Sequence, residues 1–192
     1  MTSQRLGLLI GSVFGLVFVQ VNAGALPTGI GTVCRVVGGL AFLLVLAGLR
    51  RVHQPSRSAV GQPTGISFSA GYWVVVAVEV IAIVVGVRLL AGPLKTPDAG
   101  VAWVALVVGL HFVALAVVWA QPIFGWLGGS LAVCGVAGLL LAFSDAPKAA
   151  VAGVGGVLPG GLLLGFALWA VLRPANPAAA ESGPGDAVGV PE

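Results

Sequence analysis

From Tyr72 to Ala91 the chain runs for twenty residues with two charged side chains, Glu79 and Arg88. A helix of that length, rising about 1.5 Å per residue, crosses the ~30 Å hydrocarbon core of a bilayer. Five further apolar runs follow the same plan, at about 6–21, 31–49, 101–119, 123–143 and 150–172. Turns rich in Pro, Gly or polar residues separate them. The runs are continuous instead of alternating, and in lipid every backbone N–H and C=O must find a partner inside the protein, so each run predicts a helix. The expected fold is all-α: a polytopic membrane protein whose residues 1–173 form one domain, a bundle of six transmembrane helices.

The charge content supports this reading. Only 8% of residues are charged and 58% are hydrophobic, with a mean hydropathy of +1.10. A soluble domain carries about 25% charge, so lipid must cover most of this surface, and the first partner is the bilayer itself. The net charge of +3 is spread through the loops. Nucleic-acid binding needs a clustered basic face and is excluded. Arg outnumbers Lys, and Ala, Gly and Val abound, as in high-GC bacterial genomes; the expected location is a bacterial plasma membrane, multi-pass. Cys34 and Cys134 both lie inside apolar runs and read as small hydrophobes. There is no CxxC or HExxH motif, no nucleophile with a base and no phosphate-cradling loop. The chain is therefore expected to be no enzyme and to hold no metal and no cofactor.

The first run allows two readings. Arg5, an apolar stretch and Ala23-Gly24-Ala25 fit a cleavable signal peptide. Gly7, Gly11 and Gly15, at four-residue spacing, fit a retained helix whose glycine stripe lets a neighbour approach closely; a single Arg is a weak basic region, which favours retention. Across the six spans, Arg5, Arg50, Arg51, Arg57 and Arg173 fall on one side. Arg88, Lys95 and Lys148 fall on the other, with Arg35 at its boundary, close enough to a helix end to snorkel. The excess places both termini in the cytoplasm. Arg50 to Ser69 is the longest polar connection. Pro159 sits in the middle of the sixth span, where it removes one backbone hydrogen bond and predicts a packing kink. Residues 174–192 combine Pro, Ala, Gly and acids without apolar period and read as a disordered cytoplasmic tail.

Two groups at membrane depth remain, Glu79 in the third span and His111 in the fourth. Each lies about 12–13 Å from the cytoplasmic end of its helix. A short loop joins the two helices, so they are expected to pack antiparallel, with both groups at one level. A charged side chain at mid-bilayer costs on the order of 3 kcal/mol. Pairing, protonation or a wet cavity would each relieve that cost. Glu79 and His111 thus read as a structural pair or as an intramembrane proton relay. At the opposite end Gln20, Asn22, Arg35, Arg88, Lys95 and Asp98 read as a solvated collar at the helix ends.

Gly71-Tyr72-Trp73 leading to Val78-Glu79-Val80, then Val108-Gly109-Leu110-His111-Phe112, then Pro122 and a glycine-rich fifth span resemble small uncharacterised bacterial integral membrane proteins of actinobacterial type. The resemblance implies membrane location and a six-helix plan, and supplies no mechanism. Two functions fit the residues. One is a non-catalytic membrane subunit or packing protein, working with other membrane subunits or as a homo-oligomer, in which Glu79 and His111 staple two helices. The other is a small proton-coupled transporter or channel in which the same pair titrates.

Overall fold

A computed structural model describes residues 3–51, 70–118 and 120–173. The helices are α1 (Ser3–Asn22), α2 (Thr28–Arg51), α3 (Ala70–Ala91), α4 (Gly100–Val118), α5 (Pro122–Phe143) and α6 (Lys148–Leu172). Each is long and apolar enough to cross a membrane, so the chain is a multi-pass, all-helical membrane protein. Short 3-10 turns at Ala23–Ala25 and Pro97–Ala99 lead into α2 and α4. The expected tail at 174–192, nearly all of the Arg50–Ser69 connection and Trp119 lie outside the described residues.

The helices form a chain of contacts with α6 in the middle. α1 and α2 pack on each other and on α6, α5 packs on α6 and along the whole of α4, and α3 packs on the outer flank of α4. Successive helices alternate in direction. One end of the bundle, here the near end, carries the start of α1 and the finish of α6; the other is the far end. The centre between α4, α5 and α6 is filled by Val108, Leu127, Leu131 and Leu163, with Val104, Phe112 and Phe166 packed against them.

Apolar burial does not drive helices together in lipid, because the alternative solvent is equally apolar. Close van der Waals approach between small residues takes its place. α4 and α5 show this most clearly. A Cβ on Gly109 would stand 2.5 Å from the Ala132 nitrogen and 2.7 Å from the Gly128 oxygen, and one on Gly128 would stand 2.7 Å from the Val113 nitrogen. Gly138 extends the seam to Ala102 and to Gly155 of α6. α1 meets α6 in the same manner: a Cβ on Gly15 would stand 2.9 Å from the Gly160 carbonyl oxygen.

The glycine stripe expected on α1 is used within the bundle at one position. A Cβ on Gly15 would meet α6, while at Gly7 and Gly11 it would have no described atom within 4 Å, so those two face away from the other described helices. The buried face of α1 instead runs through Ser12, Gly15, Phe18 and Val19. Four-residue steps advance 40° beyond a full turn, so a strict GxxxGxxxG stripe winds off a seam that alternates three- and four-residue steps. Ser12 is fully buried and donates its hydroxyl to the Leu9 carbonyl at 2.9 Å.

Pro159 gives no open break. It is fully buried, and the turn before it, Gly153–Val157, is π-helical. Proline cannot donate to the carbonyl four residues back and its ring crowds that group. Widening the preceding turn relieves the crowding, and the three glycines there let neighbours follow the bulge closely. Gly155 lies against Ala102 and Gly156 against Asn22.

Candidate functional site

α3 is the least enclosed helix. Trp73, Val74, Val78, Ile81, Val84 and Val85 point away from the protein. Its inward seam consists of Glu79, Ala82, Gly86 and Leu90, spaced at three and four residues along one face. On α4 the facing positions include Trp103 and His111. α4 carries so much hydrophobicity all round that periodicity alone does not orient it; the small residues Ala102, Ala105 and Gly109, buried toward α5 and α6, do so by leaving His111 on the flank.

There the two expected residues come together. His111 Nδ1 lies 2.9 Å from Glu79 Oε2, with side-chain exposures of 12% and 18%. Counted from the near ends of their helices, the groups sit about 13 Å and about 10 Å deep, so neither reaches open water along its helix. The approach is short but off the line a ring N–H needs, so Nδ1 has an ion-pair contact without an aligned hydrogen bond. Two protonation arrangements make the pair neutral as a whole: imidazolium with carboxylate, and neutral imidazole with carboxylic acid. A low-dielectric site favours either over a lone charge. The His111 ring also meets the Phe112 ring edge-on at 5.7 Å.

Trp103 is a partner that sequence did not single out. Its indole Nε1 donates to the Ala82 carbonyl at 2.9 Å, with the ring seated on Gly86, where any Cβ would collide with it. A tryptophan three residues into a membrane helix reads as an interface anchor. The available signal was the pairing of Glu79 and Gly86, seven residues apart on nearly one face of α3: an acid and a gap on the same stripe. Together, Glu79–His111 and Trp103–Ala82 make two polar links across a single helix seam.

The collar at the far end is partly internal. Gln20 Nε2 donates to the Arg35 carbonyl at 2.9 Å, and Arg35 Nε donates back to the Gln20 carbonyl at 3.3 Å, tying α1 to α2. The Arg35 guanidinium lies against Gly24 in the 3-10 turn, the expected snorkelling direction. Asn22 donates to the Phe18 carbonyl at 2.8 Å. Asp98 pairs with Lys148 at 2.7 Å, well exposed. Arg88 and Lys95 are exposed on α3 and the loop after it. Cys34 and Cys134 are free thiols, on helices that do not pack together. Among the described residues, no three His, Cys, Asp or Glu side chains gather as a metal site would require.

At the near end, rings step from α4 to α6: Phe112 stacks with Phe124 at 6.2 Å, Phe124 meets Phe166 at 6.4 Å, and Phe166 meets Trp169 at 5.8 Å. Arg173 closes the row, its guanidinium carbon 3.7 Å from the Trp169 ring centre. No protein-family model, curated protein or solved structure matches the chain.

Proposed function

We propose that the protein is a non-catalytic membrane subunit of a bacterial plasma membrane, with both termini in the cytoplasm, and that Glu79 and His111 act as an internal staple. The observation that carries this reading is where the pair lies. It sits in the seam between α3 and α4, three residues along α3 and eight along α4 from the Trp103–Ala82 bond in the same seam. α3 has little other attachment. In lipid, interhelical polar links are among the few forces able to hold so exposed a helix. The two clefts at the far end of the bundle are lined by neither residue. The arginines of the near end, Arg5, Arg50, Arg51 and Arg173, support a cytoplasmic near end.

The competing reading, a proton-coupled transporter or channel, makes a different demand. The pair must then exchange protons with water, and a pH gradient must drive flux that Glu79→Gln abolishes. Proteoliposomes containing wild type and Glu79→Gln separate the two. The staple reading expects no pH-driven flux in either, together with weakened assembly in Glu79→Gln and His111→Ala. PH-driven flux in wild type that disappears in Glu79→Gln, with assembly intact, overturns it.

A further inference from the structure

α1 packs on α2 and α6 but not closely on α3 or α4. The gap this leaves at the far end is a slot of about 360 Å³ whose walls are almost wholly apolar. Val17 and Val21 come from α1, Val87 from α3, and Val101 and Val104 from α4. The slot is continuous with a cleft of about 370 Å³ at the helix ends, since Val21, Asn22 and Val101 line both. The chemistry changes there. The mouth holds Asn22, Asp98 and Lys148, and Gly24, on which the Arg35 guanidinium rests.

We propose that this continuous slot and mouth form a binding site for one membrane phospholipid, its acyl chain between α1 and the α3–α4 pair and its phosphate at Lys148. Length, polarity and charge each point to that occupant. From Val17 to Gly24 the slot follows α1 for about 10 Å, two-thirds of the ~15 Å that one leaflet contributes to the hydrocarbon core. Its apolar part lies at acyl depth and its polar part at the level of the headgroups. Lys148 spends one of its three N–H donors on Asp98 and is 68% exposed, which leaves two donors for phosphate oxygens. Arg35 adds a second cation beside the mouth, against the single carboxylate of Asp98. A lipid there would fill the space between two halves of the bundle whose close packing, among the described residues, runs through α6. The site is separate from the Glu79–His111 seam, so it stands whether or not the staple reading does.

The test is native mass spectrometry of the full chain, purified from vesicles of phosphatidylethanolamine and phosphatidylglycerol and then exchanged into detergent. Wild type is expected to retain one phospholipid per chain. Val17→Trp and Val21→Trp place an indole in the slot at positions exposed enough to leave the core alone, and should lose the retained lipid with unchanged circular dichroism. Val78→Trp, on the exposed face of α3, should keep it. Lys148→Gln should lower occupancy about fivefold, the effect of removing roughly one cation's attraction to an anionic headgroup. Absence of retained lipid in wild type overturns the proposal. Equal loss in Val78→Trp and Val17→Trp also overturns it, because the bound lipid is then the ordinary annulus around any membrane helix.

Discussion

The staple is best tested by taking out its two halves separately and together. Glu79→Leu leaves His111 Nδ1 buried with nothing to meet; an orphaned polar group costs about 1–3 kcal/mol. His111→Leu leaves a carboxyl at membrane depth, at a cost of up to about 3 kcal/mol. The exposures of 18% and 12% place both values in the lower half of those ranges, about 1–1.5 kcal/mol each, since neither group is fully sealed. The double variant removes both liabilities and substitutes one apolar contact, so it should lie within about 1 kcal/mol of wild type. The coupling energy is then at least about 1 kcal/mol, above the ~0.6 kcal/mol mean for interhelical hydrogen bonds in a bilayer and above the ~0.3–0.5 kcal/mol at which additivity normally holds. Reversible unfolding of the four species in bicelles measures it. If the double variant loses the sum of the two single losses, the residues do not act as a pair and the staple is wrong.

Trp103→Phe keeps the ring on Gly86 but removes the donor to Ala82, and should weaken α3 attachment by about 0.5–1.5 kcal/mol, read as faster cysteine crosslinking or proteolysis at α3 in the membrane. Gly109→Ala drives a methyl into α5 backbone and should cost about 1–3 kcal/mol, whereas Gly11→Ala, facing open space, should be neutral or stabilising by up to about 1 kcal/mol; the same unfolding assay ranks them. Ala120 turns between α4 and α5 with φ of +51°, so Ala120→Gly should raise the unfolding temperature by relieving a left-handed backbone worth about 1 kcal/mol. A fall in that temperature would contradict the argument.

Much of the fold was legible because hydrophobic length is a one-dimensional property. Every helix boundary lies within three residues of the apolar run that predicted it. The meeting of Glu79 and His111 was legible for a related reason, since a short loop equalises depth on two neighbouring helices. What a run does not encode is rotation about its own axis. α4 is apolar on all sides, so its hydrophobic pattern does not separate the flank that bears His111 from the seam that bears Gly109. The same blindness hid the direction of Gly7 and Gly11, which face away from the other described helices. Which glycine is used depends on the crossing point of α1 with α6, fixed by Gly15 and Gly160 far apart in sequence. Trp103 was obscured by its type, because an anchor at the interface and a donor to a neighbouring backbone are the same residue at the same place. The π turn before Pro159 was hidden too: proline marks the lost bond, while the glycines around it decide whether the helix bends open or widens and continues.

The central position of α6 has a consequence for how the protein is made. α1 and α2 emerge first and can pair with each other; α3, α4 and α5 follow and can form a second group. Close packing between the groups runs through α6, the last of these six helices to be made. Until it inserts, two half-bundles drift in the bilayer with the Gly15 and Gly138 faces uncovered. The finished architecture is therefore decided when α6 inserts, and a chain released before Lys148 would offer the cell's membrane proteases two tethered half-bundles in place of a weakened whole.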